Sequence, residues 1–304
     1  MRVLVTGAGG YLGRAVLASL FASGHQPVGL VRRDEPDIEG VTWRRGDVLD
    51  SLREVTRDVD AVVHLAALAG VRCAYAEPTR YYRVNVVGAL NLLDALADRP
   101  DRPARLLLAS TVGVYGTPTR QPITEDTPTD PKNPYAASKL AAEQAIAWQV
   151  ATGGLGAAVL RICNIAGGVD GHGDPDDSRL IARACAVAGG RIPKLDVYGD
   201  GGAVRDFVHV FDVARAFVAA LDVCEPGLCR TINIGATAAS VAEVVAATRR
   251  VTGNEVPVVW HPAHPGEVRE LRADTARARE TLGWLPIRSE LDRIVSDQWA
   301  AERS

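Results

Sequence analysis

The sequence is poor in the features that would assign it to a specialised class. It has five cysteines in 304 residues, an odd and widely scattered set (Cys73, Cys163, Cys185, Cys224, Cys229) without a CxxC pair. A disulfide framework is therefore excluded, and reduced thiols in a cytoplasmic protein are expected. No run approaches the roughly 20 apolar residues a membrane-spanning helix needs, and the opening MRVLVTGAGGYLG is interrupted by glycines in a way a secretory signal is not. Charge of one sign is also missing: 34 basic against 37 acidic residues leave a net charge of -3, which disfavours nucleic acid or an anionic membrane as partner. There is no internal repeat and no low-complexity tail. His261 and His264, three apart in a proline-rich stretch without further ligands, do not make a metal site.

What remains is an alternation. Short β-branched runs at Arg2 to Thr6, Pro27 to Val31, Val41 to Arg45, Ala61 to Leu65, Arg105 to Ala109 and Gly156 to Ile162 are separated by segments of helical period. Among those segments is a long helix spanning Pro78 to Ala97. This predicts an α/β fold, a Rossmann-type doubly wound parallel sheet. After residue 165 the rhythm breaks into shorter elements. The expected division is a dinucleotide-binding domain over 1–165, with return segments near 204–235, and a smaller α+β lobe over 166–304.

The first strand runs into Gly7-Ala8-Gly9-Gly10-Tyr11-Leu12-Gly13 and then a helix. In this strand-turn-helix context, Gly7 permits the turn, Gly10 admits a pyrophosphate to the backbone amides, and Gly13 lets helix and strand approach. Tyr11 and Leu12 of that turn are assigned to the cofactor with it. The second strand should end in an acid for the adenosine ribose; instead it ends Val31-Arg32-Arg33. Two cations without an acid tilt the expected NAD(P) cofactor toward NADP. The competing reading makes Arg32 and Arg33 solvated and Asp34 the acid.

Asp47, followed by Val48, either contacts the adenine or caps a helix beginning near Ser51. The fourth strand leads into Leu65, Ala66 and Ala67 at the cleft, with His64 read as a buried structural imidazole. Asn85, the polar exception on an apolar helix face, should hydrogen-bond backbone near the site. Ser110 and Thr111 close the fifth strand at its carboxyl end, where ligands bind in such sheets. Tyr135 and Lys139, four apart, share one helix face. A cation beneath a phenol favours the phenolate and prepares a proton acceptor.

These pieces together resemble the extended short-chain dehydrogenases/reductases, in the NAD-dependent epimerase/dehydratase family, and within it the UDP-glucose 4-epimerases most. Further carriers of the likeness are Asn85-Val86-Val87-Gly88, Val114-Tyr115-Gly116, Arg161 to Asn164, Arg205-Asp206-Phe207-Val208-His209-Val210, Asn233-Ile234-Gly235 and Leu282-Gly283-Trp284. The resemblance implies that Tyr135 is the catalytic base, with Lys139 lowering its pKa and holding the nicotinamide ribose. Thr111 would bridge Tyr135 to the sugar, and Ser110 and Asn85 would stand beside the cofactor. Asn164, Leu195, Tyr198 and Arg205 would contact a nucleotide diphosphate sugar, UDP-linked; an ion pair of Arg205 with Asp206 is the alternative role for that guanidinium.

The sequence also departs from the family. His264 and Glu267 stand where the family has Arg and Asp around Pro-Gly. Arg179 and Arg72 are cations that either meet a carboxylated sugar such as a uronate or stand solvated. Val112-Gly113 occupies the positions of the dehydratase acid pair, which disfavours dehydration. The implied activity is 4-epimerisation of a UDP-hexose or UDP-hexuronate through transient oxidation at carbon 4. An NADPH-dependent ketosugar reductase is the alternative, a non-catalytic dinucleotide sensor the third reading, and homodimerisation through the long helices the analogy.

Overall fold

A computed structural model describes residues 1–97, 104–263 and 268–303. Seven parallel strands form the central sheet: β1 (Arg2–Thr6), β2 (Gln26–Val31), β3 (Thr42–Arg45), β4 (Ala61–His64), β5 (Ala104–Thr111), β6 (Leu155–Ile162) and the late strand Cys229–Ile234. Their spatial order places Cys229–Ile234 at one edge beside β6, followed by β5, β4, β1, β2 and finally β3. The six expected strands are present within a residue or two. The seventh comes from the second half of the chain, as does the helix Val210–Ala220, which packs on the sheet.

Both faces of the sheet are covered at its centre, so inner strands such as β1 and β4 are mostly apolar and buried rather than alternating. Successive side chains of β1 nevertheless part company: Val3 and Val5 join Leu17, Leu20 and Phe217 on one face, and Leu4 joins Val62, Leu92, Leu106 and Ile146 on the other. Each such side chain is fully or almost fully buried and contributes on the order of 2 kcal/mol.

The long helix expected over 78–97 is interrupted. It runs as Pro78–Tyr82, a wide turn of π type over Arg83–Val87, and then Gly88–Ala97. The inserted turn carries Asn85 inward. Its Oδ1 accepts from Leu68 N at 2.8 Å, and its Nδ2 donates to Leu68 O and to Ser138 Oγ. One wide turn of five residues is too short for a separate period to register, which is why the interruption is not visible in the pattern.

The second lobe is tied down by buried acids. Asp206 accepts the backbone amides of Ala236 (2.7 Å) and Ala273 (3.0 Å). Asp212 accepts those of Ile287 and Arg288 and the hydroxyl of Ser289, while its own carbonyl accepts Trp284 Nε1. His209 pairs with Asp297. Among the described residues no helix is long and apolar enough to cross a membrane.

Candidate active site

The glycine turn has little room for side chains. Gly7 adopts φ +68°, and a Cβ there would meet Ala66 N at 2.9 Å; a Cβ at Gly13 would meet Ala8 O at 2.6 Å. Gly10 N donates to Gly7 O at 3.0 Å, and the helix α1 (Tyr11–Ala22) begins with no acid in its first turn. Free amides and the positive helix end are thus available to a diphosphate. Beside the turn lies a cleft of about 1080 Å³. Gly7, Gly10, Arg32, Arg33, Asp47, Val48, Leu65, Ala66 and Ala67 all line it.

Some residues assigned to the cofactor turn elsewhere. Tyr11 donates its hydroxyl to Gly167 O at 2.5 Å, and burial pushes the phenol well above its ordinary pKa. Leu12 packs against the core. Ser110 donates to the Glu143 carboxylate. Asp47 accepts from Leu49 N at 3.0 Å and lies 3.9 Å from Arg32; the short helix that follows is Arg53–Thr56, so Asp47 orders a turn rather than capping it. His64 is fully buried, shares a hydrogen bond with Thr6 Oγ1 at 2.8 Å, and is taken down to about 3 by burial, helped by the Lys139 cation. It is a neutral structural imidazole.

The reacting end is built on the helix Pro134–Val150. Asn133 caps it by accepting Ala136 N at 2.9 Å, and Pro134 occupies its first turn. Tyr135 follows immediately, half-buried, with the Tyr81 ring edge-on at 6.4 Å. Thr111, at the end of β5, accepts Gly113 N, and its hydroxyl lies against the Tyr135 phenol.

One turn on, Lys139 is almost fully buried, and burial takes its ammonium down to about 8 against the opposing pull of Glu143. This alters the expected division of labour. In the protein alone the Tyr135 phenol is raised by burial, and the groups that lower it are the Arg179 cation and the Thr111 hydroxyl. Burial thus works against the charge that its spacing brings one turn from Tyr135.

Beneath Lys139 lies a buried group that the sequence reading did not select. Arg161 on β6 grips Glu143 from Nε (3.1 Å) and Nη2 (2.6 Å) and lies 4.7 Å over the Tyr115 ring. Tyr115 in turn donates to Asn233 at 2.8 Å. The available signal was Glu143 standing four residues after Lys139 on the same helix face.

On the sugar side, Arg179 precedes the helix Leu180–Ala188 without a side-chain capping bond and pairs with Asp174 (3.1 Å) and Asp176 (3.4 Å). Burial raises the Asp174 carboxyl. Asn164 donates to Asp206 O at 3.0 Å. Tyr198 stacks on His261 at 5.0 Å, and His261 bonds Asp196 at 2.7 Å. Arg205 lies on the strand Val204–His209, Nη1 donating to Val204 O, while Asp206 points into the interior.

Leu195 corrects its assignment. Its side chain is in the apolar core with Val187, Val197 and Val256, because alternation along Leu195–Tyr198 sends Leu195 and Val197 inward. Arg72 is exposed on the short helix Val71–Ala76. His264 and Glu267 lie outside the described residues.

The chain from residue 3 to 235 matches the model of the NAD dependent epimerase/dehydratase family. It is 38% identical to a UDP-glucose 4-epimerase of Corynebacterium glutamicum, over 99% of this chain and 95% of the relative. Among solved structures it is similar to a UDP-glucose-4-epimerase from Stenotrophomonas maltophila with bound NAD and formylated UDP-arabinopyranose. That likeness has a TM-score of 0.92 and 31% identity and covers 100% of this chain and 98% of the other. It is also similar to MoeE5 in complex with UDP-glucuronic acid and NAD, at TM-score 0.89 and 33% identity over 100% and 99% of the two chains. Matched by that family's model over residues 3–235 and 38% identical to a relative over nearly the whole of both chains, the chain belongs to the NAD dependent epimerase/dehydratase family.

Proposed function

We propose that this protein interconverts the C4 epimers of a UDP-linked hexose by transient oxidation at carbon 4. The observation that carries the reading is the Tyr135 phenol beside the Thr111 hydroxyl, one helical turn from a buried lysine, at the carboxyl edge of a parallel sheet with a glycine turn at its centre. The nicotinamide of a bound dinucleotide supplies the reversible oxidant. The protein's own share is the proton: Tyr135, through Thr111, takes it from the 4-hydroxyl and later returns it. Epimerisation further requires the 4-keto sugar to pivot about a diphosphate held elsewhere, so that the hydride taken from carbon 4 by the nicotinamide would return to its opposite face while Tyr135 gives the proton back to the 4-oxygen. Arg205 and Asn164 of the second lobe are the residues assigned to hold it, a guanidinium suiting phosphate oxygens.

The test is conversion of UDP-galactose to UDP-glucose by purified protein without added dinucleotide. Tyr135→Phe should lower kcat by about 10²- to 10⁴-fold while the dinucleotide stays bound. An unchanged kcat would remove Tyr135 from the mechanism, and stoichiometric consumption of NADPH with a ketosugar would turn the reading into a reductase.

A UDP-hexuronate is the second reading, favoured by Arg179, the cation felt at Tyr135, and by the UDP-glucuronic acid bound by MoeE5. Asp174 and Asp176 already offset Arg179, so a neutral hexose is preferred. Two copies are proposed to pair through the helices Gly88–Ala97 and Pro134–Val150, which pack together and expose Leu90 and Trp148.

A further inference from the structure

Three elements meet at one carboxylate. Glu143 stands four residues beyond Lys139 and eight beyond Tyr135, on one face of the helix Pro134–Val150. The register of β5 against β6 sets Ser110 beside Arg161, and both side chains reach the carboxylate. Ser110 donates its hydroxyl to Oε1, while Arg161 donates from Nε (3.1 Å) and Nη2 (2.6 Å) to Oε2. Ser110, Glu143 and Arg161 are only 5%, 6% and 7% exposed, so it is protein groups that satisfy this acid.

Tyr135 and Thr111 belong to different elements, so their contact depends on how the helix seats against the carboxyl end of β5. Ser110 is the residue just before Thr111 on that strand. From this geometry we propose that Glu143 is a positioning residue of the proton transfer, tying the end of β5 to the helix of Tyr135 and giving the buried Lys139 its counter-charge. The tie keeps Thr111 against the phenol. The proposal rests on the roles given to Tyr135 and Thr111 in the reading above, and Glu143 itself exchanges no proton.

A device for stability alone would be built otherwise. Attraction within a buried ion pair roughly balances the loss of water around its two charges, and apolar residues of like volume often serve a fold as well or better. They cannot hold a hydroxyl on a strand and compensate a cation one helical turn away. Lys139 has around it the neutral, fully buried His64 of β4, Tyr135 and Glu143 of its own helix and, behind Glu143, Arg161 of β6. Among these Glu143 is the group that favours the ammonium, against the burial that disfavours it.

Ser110→Ala and Glu143→Gln, made in the full-length protein, test the assignment through kcat, KM, melting temperature and the titration of Lys139. The chain has three lysines, Lys132, Lys139 and Lys194. Protein carrying isotope-labelled lysine therefore gives a sparse NMR spectrum, in which Lys139→Arg identifies the signal to follow. Ser110→Ala, which leaves the ion pair in place, should lower kcat by about tenfold while KM moves by less than about twofold. Glu143→Gln keeps the shape and removes the charge; it should lower kcat by about 10- to 100-fold and move the Lys139 titration to lower pH. It also leaves Arg161 unpaired, and if that variant fails to fold, Ser110→Ala decides alone.

A wild-type kcat per folded site in Ser110→Ala, or a Lys139 titration unmoved by Glu143→Gln, would overturn the proposal. With a lowered melting temperature besides, the carboxylate would be shown to serve the fold only. The lysine titration needs no turnover, so a wild type that converts no UDP-sugar sinks the epimerase reading. A wild type that converts it, with variants that match its kcat, sinks this inference alone.

Discussion

The two ends of the cleft are built by different means. At the dinucleotide end the contacts belong to backbone: Gly7, Gly10 and Gly13 stand within one turn, against Ala66, and any side chain there meets a main-chain atom. At the sugar end the contacts belong to side chains drawn from distant stretches, with Thr111 on one strand, Tyr135 on a helix, Arg179 at the mouth of another and Arg205 on a strand of the second lobe. A site made of backbone admits few substitutions, because main-chain atoms cannot be exchanged. A site made of side chains can be retuned one residue at a time.

If this contrast is right, changes at the two ends should differ in kind. Gly13→Val should have the largest effect. The added atoms meet the carbonyl of Ala8, and overpacking of this sort costs about 3 kcal/mol. The protein should melt several degrees lower and retain no dinucleotide after gel filtration; retention at the wild-type level would show that the turn has slack.

The next effect is in pH. Lys139 is depressed to about 8 in the fold, so its charge is present below that pH and lost as pH rises through it. The kcat should therefore fall above about pH 8, approaching tenfold per unit. A flat profile to pH 10 would show that Lys139 keeps its proton in the working complex. The smallest effect belongs to the sugar end. Arg179→Ala should leave dinucleotide retention and melting unchanged and raise the KM for the sugar nucleotide by about three- to tenfold, with kcat falling less. Loss of the dinucleotide in that variant would erase the distinction between the two ends.

The same division governs what could be read from the chain before folding. The glycine turn, its strand and its helix are neighbours in sequence, and the Tyr135-Lys139 face follows from helical spacing alone, so both were legible. The alternation that predicted the sheet survives because each buried strand carries its own apolar run. Leu195 was misassigned although its strand alternates, since the pattern marks two faces without marking which is inward. Glu143 was passed over because its meaning depends on Arg161, eighteen residues away across a strand, and on Ser110 from another. The depth at which Lys139 is buried went unread for a related reason. Spacing places two groups together but says nothing of how far each is removed from water.

The chain's local order was sufficient for the parallel sheet, the phosphate-binding turn and the phenol-lysine pair, because each depends on atoms a few residues apart whose geometry follows from the backbone's own periods. Folding alone assigned the π turn whose Asn85 meets Leu68, the depressed ammonium of Lys139 and the Arg161 guanidinium that grips Glu143. Those depend on which distant segments meet and how much water they exclude, and neither quantity is written in any short stretch of sequence.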